Sequence, residues 1–275
     1  MAEERLTGPI DGLVSFMPAF LQASTGLGAP RGAAGGAFEP NLEARIAAIF
    51  ALRHLAQQYP AALPLVVDVL CAYVRLNSGW VDAAAPSRRA EDIPADVQLA
   101  VESIGHRCDV KEPLPCRIDL TRTDLRGVRL WGADLRGAVL ARALLGLADL
   151  GEVDFEGAVL LGSNLDGSIL VKANFSKADL WCAKLVRSNL IMASFRGASL
   201  ANADLRDSIL KGADFSDAHI QQTKLSGAHM AVLQLAPEQL AEVLVESEPA
   251  GEKPRRTGRA RKSTVRQRRP LRARQ

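Results

Sequence analysis

From Leu120 to Met230 every fifth residue is Leu, Phe, Ile or Met, 23 in succession. An α-helix returns to its buried face about every 3.6 residues and a strand about every 2, so neither explains the spacing. A second rule runs beside it. The residue two places before each large one is small or β-branched, from Ile118, Thr123, Val128 and Ala133 through to Ala228. Two rules obeyed together over more than a hundred residues make an internal repeat, which sets the fold before any local propensity does.

A longer period lies inside the short one. Phe155, Phe175, Phe195 and Phe215 stand twenty apart, with Leu135 and Leu235 in the same column. Ala138, Ala158, Ala178, Ala198 and Ala218 form another. Twenty residues per lap in steps of five means four sides, each step turning the chain by a quarter. Residues twenty apart then stack at about 4.8 Å, the spacing of paired strands. The four phenylalanines should form an offset stack with centroids within about 4.5–7 Å. The large residue fills the centre of a side and the small one also points inward. The other three positions face water and are polar or Gly-rich, as in Asp154/Glu156/Gly157. Almost six laps at this rise give a rod of roughly 28 Å. The expected fold is mainly β, a four-sided parallel solenoid over residues 117–235, whose open ends need covers.

The flanks supply them. Residues 1–40 contain the Gly/Ala/Pro-rich stretch QASTGLGAPRGAAGGAFEP and read as a flexible N-terminal segment and linker. Asn41 then caps a helix bearing Leu42, Ile46, Ile49, Phe50, Leu52 and Leu55, which Pro60 ends. A second helix is expected from about Ala62 to Leu76 and a third from Pro94 to Gly105. Residues 41–107 are thus an α-helical cap. Residues 236–247 (PEQLAEVLVE and its flanks) read as a short C-terminal helix, and 248–275 as a disordered basic tail.

The repeats GADLRGAVL, KANFSKADL, ANADLRDSIL and KGADFSDAHI resemble the pentapeptide-repeat family, with its consensus A(D/N)LXX. The resemblance implies a right-handed quadrilateral β-helix. The helical stretch from Asn41 to Cys108 resembles a segment often found ahead of the repeats in bacterial members, many of which also carry transmembrane helices. No such helices are expected here, and the apolar run Ile10–Leu21 is too short to span a bilayer. Most members of that family have no assigned activity, and a minority bind DNA gyrase by imitating duplex DNA.

Catalysis finds no motif: there is no nucleophile signature, Gly-rich phosphate loop or acid/base pair. Asp119, Asp124, Asp134, Asp149, Asp154, Asp179, Asp204 and Asp214 occupy one consensus position and read as solvated or backbone-bonding side chains. His106, Cys108 and Cys116 are three candidate metal ligands where structural zinc takes four, so they read as ordinary side chains. No catalytic residue, metal or cofactor is expected. Four cysteines without regular spacing and the lack of a signal-peptide pattern suggest a reduced, cytoplasmic protein.

Charge is divided unevenly. Residues 251–275 hold eleven Lys/Arg and one Glu, whereas 118–230 hold 13 of each sign. A duplex mimic needs dense negative charge, so the rod's zero net charge argues against that role. The tail residues Arg255, Arg256, Arg259, Arg261, Lys262, Arg266, Arg268, Arg269, Arg272 and Arg274 are candidates for binding nucleic acid or an anionic surface by charge alone. The rod itself deviates on one side. Around the column Leu130, Leu150, Leu170, Leu190 and Leu210 the outward neighbours include Trp131, Ile169, Val171, Ile191, Met192 and Ile209, while those of the Phe column are charged, polar or Gly. An apolar stripe of that length commonly marks a contact. The expected function is a non-catalytic scaffold presenting this side to a protein partner or a second copy. The alternative is a nucleic-acid- or topoisomerase-directed protein acting through rod and tail.

Overall fold

The computed structural model describes residues 21–25, 27, 41–79, 93–107 and 116–229. Three helices form the cap: α1 (Leu42–Gln58), α2 (Leu63–Asn77) and α3 (Ala95–Gly105). Asn41 caps α1 as its sequence position requires, its Oδ1 accepting the Ala44 N–H at 2.8 Å. Pro60 does not simply end the first helix. It opens a 3-10 turn, Pro60–Ala62, that leads straight into α2, because a ring without an N–H is harmless in a first turn. Pro60–Asn77 is apolar and long enough to cross a membrane, but α2 packs against both other helices and buries Leu63, Val66, Val67, Leu70 and Val74. It is the core helix of the cap. Residues 21–25 are helical too, and Ala23 and Leu27 are buried in the same core, so this part of the 1–40 segment is docked rather than a free linker.

In the rod one pentapeptide shows the whole design. Ala173 N–H donates to Leu170 O (3.1 Å), closing a turn. Asn174 N–H donates down to Val153 O (2.9 Å), and Phe175 and Lys177 N–H donate up to Ser194 O (2.7 Å) and Arg196 O (2.8 Å). The fifth N–H, of Ser176, lies on the turn and is taken by the Asn174 side chain at 3.0 Å. Every backbone donor has a partner, as burial beside an apolar core demands. This explains why the position before the large residue favours Asp or Asn: only a short carboxylate or amide reaches the N–H two residues on. All eight aspartates singled out from the sequence do this, Asp154 to Glu156 N–H at 3.0 Å and Asp179 to Trp181 N–H at 3.1 Å among them.

Each turn places its second central residue at positive φ, from Arg122 (55°) to Gly227 (72°), the mark of a type II turn. Nine of these positions are Gly and none is Val, Ile or Thr, since a branched Cβ fits that region worst. With a corner every five residues, only one residue per side can pair. The laps are joined by single parallel bridges in a strict register of twenty, such as Asp134↔Asp154↔Asn174↔Ser194↔Asp214. The described rod is therefore a ladder of isolated bridges and contains no extended strands, although its sequence reads as mainly β. The Phe column is stacked at 5.1, 5.0 and 4.7 Å between successive rings and is fully buried. Leu235 and the expected helix 236–247 lie outside the described residues, as does the tail.

The first lap would expose unpaired backbone at its lower edge, and the cap closes it with its helix C-termini. The last carbonyls of a helix lack intrahelical donors. Ser78 O, just past α2, accepts the Asp124 N–H at 2.9 Å, and Gly105 O, at the end of α3, accepts the Asp134 N–H at 2.7 Å. Gln98 stands in for a backbone unit, accepting from Arg129 N–H at 3.2 Å and donating to Arg129 O at 2.7 Å. The Arg75 guanidinium donates to Asp119 O. Cap and rod share one continuous apolar cluster.

Asp134 sits at this joint between Arg107 (3.0 Å) and Arg136 (2.8 Å). Burial opposes its ionisation, but hydrogen bonds from the Arg136 side chain and backbone, with the charges of Arg107 and Arg136, outweigh that and hold its pKa below the ordinary carboxylate value. Asp119, on the same lap, is lowered in the same sense, with burial again opposed by the Thr121 hydrogen bonds and by Arg75. A carboxyl with a depressed folded-state pKa stabilises the fold above its unfolded pKa, and that contribution is lost as pH falls through the folded value. Stability should thus decline in acid. In thermal melts the drop in Tm between pH 7 and pH 3 should be smaller in Asp134→Asn than in the unaltered chain (assay conditions on the order of the carboxylate range). An equal drop in both would show that Asp134 does not couple folding to pH.

Candidate interaction faces

The four sides of the rod differ in what they present. The second side, built on Leu125, Leu145, Leu165, Leu185 and Leu205, and the fourth, built on Leu135 and the Phe column, carry most of the ion pairs, although the second also exposes Leu147 at 54%. On the fourth, Asp134 pairs with Arg136, Arg136 lies 3.7 Å from Asp154, Lys177 meets Glu156 at 2.8 Å, and Arg196 lies 3.9 Å from Asp214. On the second, Arg126 pairs with Asp124 and Arg206 with Asp204, at 2.8 and 2.7 Å. Asp166, also on the second side, is held above the ordinary carboxylate pKa, chiefly by burial. Both signs are mixed on both sides, and neither offers an unbroken anionic strip.

The third side carries the stripe expected from the sequence. Trp131, Ile169, Met192 and Ile209 are exposed at 52%, 44%, 60% and 39%, and Val171 and Ile191 are half-buried. The bridge register Arg129↔Asp149↔Ile169↔Asn189↔Ile209 places these residues on one side, interrupted at the second lap by Asp149, Gly151 and Glu152, the last paired with Lys172 at 3.0 Å. The indole of Trp131 lies against the next lap at Gly151, where a Cβ would come within 2.1 Å of the ring. Met192 likewise lies over Gly212. Gly151 therefore makes room for an aromatic ring that no other residue type would admit.

Sequence reading passed over the first side, directly opposite. There Trp181 is 46% exposed, with Val139, Val159 and Leu161 half-buried around it on neighbouring laps. The signal was the same, apolar residues flanking a core column, here Leu140, Leu160 and Leu180. The two apolar sides share a chemical exchange. At Val139, Val159, Ile169 and Ile209 a β-branched residue replaces the Asp or Asn that caps a turn N–H elsewhere in the rod. Each replacement gives up a hydrogen bond of about 1 kcal/mol to present hydrocarbon instead.

The other singled-out residues are dispersed. His106 is exposed just beyond α3, and Cys116 is half-buried beside Arg107, its thiol pKa pushed up mainly by burial. Cys108 lies outside the described residues. Cys71, inside α2, is pushed up to about 12, chiefly by burial, which leaves it an unreactive thiol at neutral pH. Among the described residues no group of three or more His, Cys, Asp or Glu side chains is placed to hold a metal ion. The tail arginines from Arg255 to Arg274 are not among the described residues.

A family model described as pentapeptide repeats, in eight copies, matches residues 118–157, 148–190 and 193–230. No curated protein matches the chain. Solved structures that resemble it include a pentapeptide repeat protein of the Arabidopsis thaliana thylakoid lumen, 22% identical, covering 46% of this chain and 72% of its own, with a TM-score of 0.28. A pentapeptide repeat protein of the cyanobacterium Cyanothece is 30% identical, covering 46% and 65%, with a TM-score of 0.27. QnrB1, a plasmid-mediated fluoroquinolone resistance protein, is 20% identical in a trypsin-treated form, covering 44% and 79%, with a TM-score of 0.25. The matched residues are those whose turns, bridges and buried columns make up the rod, and that segment consists of pentapeptide repeats.

Proposed function

We propose that the protein is a non-catalytic binding scaffold: a right-handed, four-sided parallel β-helix with an α-helical cap, whose third side docks a protein partner. The observation that carries this reading is the set of exposed apolar residues Trp131, Ile169, Met192 and Ile209 on one side, where the fourth side presents only charged, polar or Gly residues. A rod free to choose its surface would keep the capping Asp or Asn at Ile169 and Ile209. Giving up that hydrogen bond and exposing hydrocarbon lowers the stability of the free protein, so a covering surface must supply the compensation. The rigid ladder suits this use, because the side chains are held in place before contact and little ordering entropy is lost on binding.

The mixed charge of the second and fourth sides speaks against imitation of duplex DNA, which needs consistently negative charge. Asp124, Asp134 and Asp204 on those sides are also occupied, by turn N–H groups and by arginines. We read the location as cytoplasmic, on cysteine usage alone.

The test places a photoreactive p-benzoylphenylalanine at Met192 in one sample and at Ser176, on the charged fourth side, in another, each in cells making the full chain. A discrete adduct from the Met192 position, lost in Trp131→Asp/Ile191→Asp and not seen from Ser176, is the expected result. Equal labelling from both sides, or adducts that survive the double substitution in a chain with unchanged circular dichroism, would overturn the docking role.

A further inference from the structure

Helix α3 runs against the first lap of the rod, and it is not equally close along its length. At its C-terminal end Gly105 has no room for a side chain, since a Cβ there would come within 2.9 Å of Ala133. Towards its N-terminal end a cleft of about 420 Å³ opens between helix and rod, a volume in the small-molecule range. Its walls include Ile93 and Leu99 from the cap and Gly127 and Arg129 from the rod. Ile93 and Leu99 are half-buried and turn hydrocarbon to the cleft. Gly127 rounds its corner at a φ of 75° and has no side chain to fill the space.

The polar groups of the cleft include two opposite charges held apart. Gln98, buried at the joint, uses its whole amide on its neighbours. Its Nε2 donates to Glu102 Oε1 at 2.6 Å and to Arg129 O at 2.7 Å, and its Oε1 accepts the Arg129 N–H at 3.2 Å. It thereby fixes Glu102, one helical turn further along α3, and the backbone of Arg129 around itself. Both charged side chains line the cleft, yet among the described residues neither makes an ion pair. Glu102 Oε2 and the Arg129 guanidinium are thus left to a ligand. Charges in a partly sheltered cleft act more strongly than in open water. A molecule that bridges these two brings an ammonium to Glu102 and a carboxylate to Arg129, whose planar fork takes a carboxylate in two hydrogen bonds. The apolar walls add a place for hydrocarbon.

We propose that this cleft binds a small zwitterion with a hydrocarbon side chain, an apolar α-amino acid or a dipeptide of such residues. Its carboxylate sits on Arg129, its ammonium on Glu102 and its side chain against Ile93 and Leu99. The site lies at the joint of cap and rod, because Gln98 holds both charged residues and is itself a link between α3 and the first lap. A ligand bound there favours the docked cap by mass action. The inference is independent of what docks on the third side, since it needs only the purified chain.

The experiment titrates the full chain with leucine and, separately, with leucyl-leucine in a calorimeter. The expected result is one site per chain, with a Kd between about 10 μM and 1 mM. Whichever compound binds more tightly assigns the ligand to a free amino acid or to a dipeptide. Glu102→Gln keeps an acceptor for Gln98, and Arg129→Gln keeps the backbone contacts, so both variants should retain their circular dichroism. Each should weaken binding about tenfold or more, the value of one charge-assisted hydrogen bond. N-acetyl-leucine, which lacks the ammonium, and leucinamide, which lacks the carboxylate, should bind the unaltered chain about tenfold or more weaker than leucine does. N-acetyl-leucine should bind Glu102→Gln no worse than the unaltered chain, and leucinamide likewise for Arg129→Gln, because the group each lacks has no partner left to lose. No saturable binding of either compound up to about 10 mM would overturn the proposal. Binding indifferent to the ligand's charges, or to both substitutions in folded variants, would overturn it as well. The two modified leucines read the charges on the unaltered chain, so the test stands even where a variant fails to fold.

Discussion

Phe175→Ala is expected to cost about 3–5 kcal/mol, the range found when a buried aromatic is cut back to alanine in a core that cannot collapse. Phe175 is wholly buried and lies between two parallel rings, Phe155 at 5.1 Å and Phe195 at 5.0 Å, with interplanar angles of 12° and 3°. The neighbouring laps cannot close the gap, because their separation is fixed by backbone hydrogen bonds such as Phe175 N–H to Ser194 O. The void therefore persists. Phe175→Leu should cost far less, since Leu135 already fills the same column one lap from Phe155. Denaturant titration followed by circular dichroism gives the magnitude. Hydrogen exchange gives the location, and amides of the laps on either side of Phe175 should lose protection before those near the cap, because in a repeat array each unit leans only on its neighbours. A uniform loss along the whole rod would show instead that the array unfolds as one unit.

Asp96→Ala should be of the same order, about 3–5 kcal/mol, for a different reason. Asp96 is wholly buried at the start of α3, where its carboxylate lies 2.9 Å from Arg45 Nε of α1 and accepts the hydroxyl of Tyr73 in α2. One side chain thus ties all three helices together. Removing it leaves the Arg45 guanidinium, itself 11% exposed, inside the cap without its counter-charge. The loss comes from that stranded charge, so Arg45→Met/Asp96→Leu should recover most of the stability that Asp96→Ala removes. If the double variant is no better than the single one, the ion pair itself, and not the stranded arginine, supplies the stability. Both substitutions lie in the cap, yet they should also weaken the first lap. Ser78 O and Gly105 O hold the Asp124 and Asp134 N–H groups only while α2 and α3 stay in place.

The two effects reflect how differently rod and cap are written. In the rod, each of five positions answers one local requirement. The large residue fills a side, and the small one fits under the preceding turn. The Asp or Asn takes an orphan N–H, and the last two make a type II corner that excludes branched side chains. A requirement repeated in every pentapeptide is visible in a single sequence. That is why the columns, the Phe stack and the role of the eight aspartates could be read before any coordinates. The apolar third side was legible for the same reason: Ile169 and Ile209 stand in a column where Asp149 and Asn189 keep the capping side chain. Trp181 was harder to see because its companions Val139, Val159 and Leu161 are scattered in sequence and meet only when laps twenty residues apart are stacked.

By itself, then, the sequence determined the repeat, its register of twenty, the buried columns, the three cap helices and the side that departs from the polar pattern. These are local or periodic properties, set by side-chain size and by hydrogen bonds that reach two or three residues. The tertiary structure alone decided how the cap closes the first lap, that Gln98 replaces a backbone unit, that Asp96 joins three helices, and that Ala23 and Leu27 are buried in the cap core. Each of these pairs residues that are distant in sequence and occur once. With no period to repeat them and no short-range geometry to impose them, only the folded chain brings them together.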